Sequence, residues 1–199
     1  MVRVGISVEG PTEERFIKSV LAPYLMSKNI YITPISIGGA VSVDKVKSEL
    51  QKMANSFDYV TTLYDFYGFS RKVENETKES LEKRIEETVH QAVKMKLVPY
   101  IQMYEFESVL FSCPLAMANG MNEPEARSWC QGVLDEFKGD PEAINNSVET
   151  APSKRLEEHT GYRKTTHGPN IAKEMGIDKI REKCVGFNDW LTRLEGLAV

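Results

Sequence analysis

The alternation of short β-branched runs with segments of helical period constrains this chain most. Val2–Val8 is apolar, rich in valine and isoleucine, and stops at Glu9-Gly10-Pro11. That pattern predicts a strand closed by a tight turn. Thr12 can cap a helix that carries Glu13 and Glu14 in its first turn, where the macrodipole favours acid. Phe16, Ile17, Val20, Leu21, Tyr24 and Leu25 then recur at helical spacing. A second strand is expected over residues 31–37, stopped by Gly38-Gly39, and a second helix carries Val43, Val46, Leu50 and Met53. A third strand over 59–64 runs into Asp65. A loop over 66–75, a long helix over 77–96 and a fourth strand over 98–103 follow. The order βαβαβαβ predicts an α/β fold with a mainly parallel sheet flanked by helices and right-handed crossovers.

After Phe111 the strand signals stop. Helical pieces are expected near 123–137, 153–159, 170–175 and 187–197. The predicted organisation is an α/β domain over 1–112 and an α-helical extension over 113–199 packed on it. Trp190, Leu191 and Leu194 form an apolar face on the last helix, read as packing or, alternatively, as a docking face for a partner.

Of the 199 residues 41% are hydrophobic, enough for a substantial core, and this excludes wholesale disorder. A net charge of −4 argues against a uniformly basic nucleic-acid coat protein. The charge is uneven, however. Residues 1–149 carry a net −6 and residues 150–199 a net +2. Much of the positive density lies in Lys154-Arg155, Arg163-Lys164 and His167. No run approaches the about 20 apolar residues of a membrane span, and the first residues read as a strand rather than a signal peptide. Cys113, Cys130 and Cys184 fit no zinc spacing and no disulfide framework, so a reducing cytoplasm is expected.

The chemistry lies in the acids at the strand ends. Glu9 follows the first strand, Asp65 the third, Glu105 and Glu107 the fourth. In an open parallel sheet, ligands gather outside the carboxyl ends of the strands. Clustered carboxylates repel one another, and a divalent cation relieves that repulsion. All-oxygen donors suit Mg²⁺ or Mn²⁺, for which phosphoryl chemistry is the natural reaction class. Each acid taken alone also fits a helix cap or a solvated loop residue. Tyr64, Phe66, Tyr67 and Phe69 crowd the third strand end, to pack there or to stack on a base.

The segment Val8-Glu9-Gly10-Pro11-Thr12-Glu13-Glu14-Arg15-Phe16 resembles the first motif of Toprim domains, especially those of OLD-type nucleases. Asp65-Phe66-Tyr67-Gly68, Gln102-Met103-Tyr104-Glu105-Phe106-Glu107, Thr150-Ala151-Pro152-Ser153-Lys154-Arg155 and Tyr162-Arg163-Lys164 resemble, over nearly the whole chain, an uncharacterised bacterial Toprim-like family often encoded beside ATPases. The resemblance implies a metal-dependent nuclease acting on phosphodiester bonds, in phage defence or DNA repair with a partner ATPase. It implies Glu9 as general acid/base or ligand, and Glu13, Asp65, Glu105 and Glu107 as further Mg²⁺ or Mn²⁺ ligands. The Toprim Asp-x-Asp stands here as Asp65-Phe66-Tyr67, so either Glu105, the preferred substitute, or Glu107 supplies the second carboxylate, or the metal site is weakened or absent. A helix at this point would rotate Glu107 away. Ser153, Lys154, Arg155, Lys164 and His167 are candidates for holding phosphate. Nucleic acid is the expected partner and no membrane is expected; a homo-oligomer stays open. The alternative is a non-catalytic Toprim-like binding or effector subunit of an ATPase complex, and a weaker third reading is a small nucleotide-processing enzyme.

Overall fold

A computed structural model describes residues 1–145 and 147–198. Strand β1 (Val2–Val8) leads through Gly10 into a helix assembled from α1 (Pro11–Phe16), a π-helical stretch (Ile17–Leu21) and α2 (Ala22–Met26). Then come β2 (Ile30–Ser36), α3 (Val43–Met53), β3 (Tyr59–Asp65), α4 (Lys78–Thr88), α5 (Gln91–Lys94), β4 (Leu97–Val98) and β5 (Ile101–Gln102). The remainder is helical: α6 (Glu107–Leu110), α7 (Pro114–Met121), α8 (Ala126–Glu136), α9 (Pro152–His159), α10 (Lys164–Lys183) and α11 (Val185–Glu195). The sheet order is β2-β1-β3-β4, with β5 also on β3, and every strand pair is parallel. The expected α/β class is the observed one.

Alternation along the strands divides the core. Val4, Ile6, Val8 and Leu63 pack on one face with Phe16, Leu21, Phe106, Met117, Ile171 and Trp190. Val60 and Tyr64 pack on the other with Val46, Leu50, Leu81 and Ile85. Sequence from beyond residue 112 thus builds part of the cover on one face of the sheet. Trp190 is 1% exposed, stacks on Tyr100 at 4.6 Å and donates from Nε1 to Thr61 Oγ1 at 2.8 Å. Its face of α11 is an internal packing face.

Two expected elements are broken. The helix over 77–96 stops at Thr88, where Val89 turns extended, and His90 restarts it by accepting from the Ala92 amide. The fourth strand splits into β4 and β5 around Pro99, which has no N–H for the ladder. Thr62 patches the gap: its Oγ1 accepts from the Tyr100 amide at 2.9 Å and donates to the Tyr100 carbonyl at 2.8 Å.

Trp190→Ala removes the stacked ring and its hydrogen bond to Thr61, which keeps its bond to the Val98 carbonyl. It should cost about 3–5 kcal/mol in a urea unfolding titration followed by circular dichroism. A cost below about 0.5 kcal/mol, the range of surface changes, would contradict the packing role.

Candidate functional site

The strand ends bring five acids to one edge of the sheet. Glu9 directly follows β1 and Asp65 is the last residue of β3. Glu13 lies in the first turn of α1, where its Oε2 accepts from the Gly10 amide at 3.0 Å. Beyond β5 the chain turns through Tyr104, whose φ of 60° is the left-handed region that bulky residues avoid. That turn delivers Glu105, and Glu107 opens α6. Helix formation therefore does not carry Glu107 away: it stands on the first helical residue and is 0% exposed.

Backbone and side-chain donors hold the acids in place. The Phe106 amide donates to Asp65 Oδ1 at 2.7 Å. The Ser153 amide, at the start of α9, donates to Glu105 Oε2 at 2.9 Å. Tyr162 donates its hydroxyl to Glu107 Oε1 at 3.1 Å. Lys164, the first residue of α10, places Nζ 3.3 Å from Glu107 Oε2 and 3.7 Å from Asp65 Oδ2. Neither contact has the alignment of a hydrogen bond, and Glu107 Oε2 is buried with none. Glu9 Oε2 is also buried without a hydrogen-bond partner. It lies against Gly68, where a Cβ would overlap the Glu9 carboxylate.

Burial and crowding together raise the carboxyl pKa values. Glu9 is pushed up by burial, then by Glu13 and Glu105, against the pull of Lys164. Asp65 is raised by burial and by Glu13, Glu107 and Glu9, again opposed by Lys164. Glu107 is raised by burial and by Glu105 and Glu13. For Lys164, burial works against the charge, but Glu107, Asp65, Glu13 and Glu105 outweigh it and hold the ammonium protonated. Five acids thus share one buried-side cation.

The donor set is entirely hard oxygen, which fits Mg²⁺ or Mn²⁺, and Glu9 keeps a buried oxygen free. Among the described residues no three His, Cys, Asp or Glu side chains are already arranged to hold one ion. An ion held by three of these acids would require side-chain movement.

A family model described as "Domain of unknown function (DUF4276)" matches residues 8–195, which contain every one of these groups. The chain belongs to that family. No curated protein and no solved structure matches it.

In this DUF4276 chain the other basic candidates lie apart from the acids. Lys154 pairs with Glu157 at 3.1 Å on the surface. Arg155 donates to the Thr150 carbonyl, lies 3.6 Å from Glu136 and covers the Phe137 ring. His167 Nδ1 accepts from the Arg163 amide and closes the start of α10. Ser153 reaches the site through its amide. Tyr67, two residues after Asp65, has its hydroxyl bonded to Asn145. Sequence reasoning gave no role to Tyr162, although an aromatic hydroxyl two residues before Lys164 was a visible signal. Gly68 lies in the segment expected as a loop, and its lack of a side chain makes room for Glu9.

The raised carboxyls fix the sign of a pH effect. Above the unfolded values near 4, the folded protein keeps protons that the unfolded chain releases, so stability falls as pH rises towards the raised values. Lys164, raised above its ordinary value, contributes throughout that window and loses its contribution only at higher pH. Asp65→Asn should flatten the decline of the urea midpoint above pH 4. An unchanged slope would show that Asp65 does not titrate in the folded protein's window.

Proposed function

We propose that this DUF4276 protein is a Toprim-like nuclease that hydrolyses phosphodiester bonds with Mg²⁺ or Mn²⁺. The convergence of Glu9, Glu13, Asp65, Glu105 and Glu107 at the carboxyl edge of a parallel sheet, with a buried Glu9 oxygen left free, carries this reading. Glu9, Asp65 and Glu105 would hold the ion, with Glu13 and Glu107 as further oxygen donors. A bound ion supplies charge neutralisation and an activated water. Glu9, its pKa raised towards working pH, is placed to accept or return a proton. Among the phosphate candidates, Lys164 is the one whose position supports the role. The Toprim relationship, a partner ATPase and a role in phage defence or DNA repair rest on the sequence resemblance, and a cytoplasmic setting on the scattered cysteines. No helix among the described residues is long and apolar enough to cross a membrane.

One observation favours the alternative of a non-catalytic binding or effector subunit. Lys164 already neutralises Asp65 and Glu107, and Tyr67 stands where Toprim enzymes carry a carboxylate. The two readings separate in a cleavage assay on labelled single- and double-stranded DNA and RNA with Mg²⁺ or Mn²⁺. Cleavage should fall about 10²-fold or more in Glu9→Gln and in Asp65→Asn. Cleavage indifferent to both changes would remove the proposed site, and no cleavage with no metal binding by calorimetry would favour the effector subunit.

Gly68→Ala gives an independent check. The added methyl displaces the Glu9 carboxylate, so this variant should lose cleavage to nearly the extent of Glu9→Gln. Wild-type turnover in a folded Gly68→Ala protein would place Glu9 outside the chemistry.

A further inference from the structure

Lys164 is an odd residue to find where it stands. It opens α10, and a helix N-terminus disfavours a cation. Its side chain keeps 40% exposure although its charge faces Asp65 and Glu107, which are 7% and 0% exposed. A fully buried carboxylate oxygen with no hydrogen bond, Glu107 Oε2, faces its ammonium at 3.3 Å. The two acids do not depend on the lysine for their positions. Asp65 is tied to the Phe106 amide and Glu107 to the Tyr162 hydroxyl. The acids are thus fixed, while the cation is long, half-exposed and held by charge alone.

We propose that Lys164 is the site's own cation, occupying the place between Asp65 and Glu107 that a divalent ion takes on loading, so that the ion enters by displacing it. This inference rests on the metal-dependent reading above. It accounts for two features together: the excess of acid over base at the sheet edge, and the absence among the described residues of three acids already closed on one point. With the ammonium in place, the carboxylates gathered at the edge have no reason to close on one point. Once it swings out along its exposed stem, the entering ion supplies the positive charge that Asp65 and Glu107 would otherwise lose. The displaced ammonium stays tethered at the rim, where a phosphate bound to the ion would meet it. The site then never holds its full negative charge without a cation.

Calorimetric titration of the full chain with MnCl₂ tests the proposal. Lys164→Met should bind Mn²⁺ about tenfold or more tightly than wild type, because the competing charge is gone. Lys164→Arg, which keeps the charge, should stay near wild type. Without metal, Lys164→Met should melt below wild type, and Mn²⁺ should restore it. Equal affinity in wild type and Lys164→Met would overturn the displacement while leaving metal binding intact. Weaker binding in Lys164→Met would overturn it too, by making the lysine a support rather than a competitor. If no form binds Mn²⁺, the inference falls together with the metal-dependent reading. Should Lys164→Met fail to fold, Lys164→Gln serves in its place. If that also fails, refolding in Mn²⁺ but not in an equal ionic strength of NaCl is the supporting result, and no rescue overturns the proposal.

Discussion

The ion pairs of Lys164 with Asp65 and Glu107 join the two parts of the chain at the point where charge is most costly. Burying a carboxylate without a partner costs several kcal/mol, and here two stand almost wholly inside the protein. The one ammonium beside them comes from α10, about a hundred residues beyond β3. The sheet edge is therefore a complete electrostatic unit only when the C-terminal helices are docked. The same dependence runs through the core, where Trp190 of α11 bonds to Thr61 of β3 and Ile171 of α10 packs on the first face of the sheet. Packing and charge compensation draw on the same helices.

The strand ends were legible because they rest on local rules. A β-branched run meeting Glu9-Gly10-Pro11 can end in few ways, and Asp65 falls at the end of β3 for the same reason. The convergence of the acids follows once the strands are parallel, since parallel strands deliver their carboxyl ends to one side. The breaks at His90 and Pro99 depended on tertiary context. A side chain caps the restarted helix at one, and Thr62 holds the Tyr100 amide and carbonyl beside a proline that has no N–H at the other. Periodicity does not report either repair.

The cations were harder to read than the acids. Lys154, Arg155, Lys164 and His167 look alike in sequence, yet one reaches the acids and the others close helix ends or pair on the surface. Which lysine enters a site is decided by how α9 and α10 dock, and no local rule sets that. Tyr162 belongs to the same class: its hydroxyl matters only because α10 brings it to Glu107.

The acid cluster is not completed from the segment that follows Asp65. Tyr67 is drawn away to Asn145, and the cluster is completed instead from the turn that follows β5. Tyr104 in the left-handed region reverses the chain there, so that Glu105 leaves the turn and Glu107 enters α6 with both carboxylates in the same charge cluster. A backbone strained by a bulky residue at positive φ costs of order 1–3 kcal/mol. That cost sits at the turn that carries Glu105 and leads into Glu107. The Phe106 amide within this turn also holds Asp65, so a single strained connection supplies two acids and fixes a third.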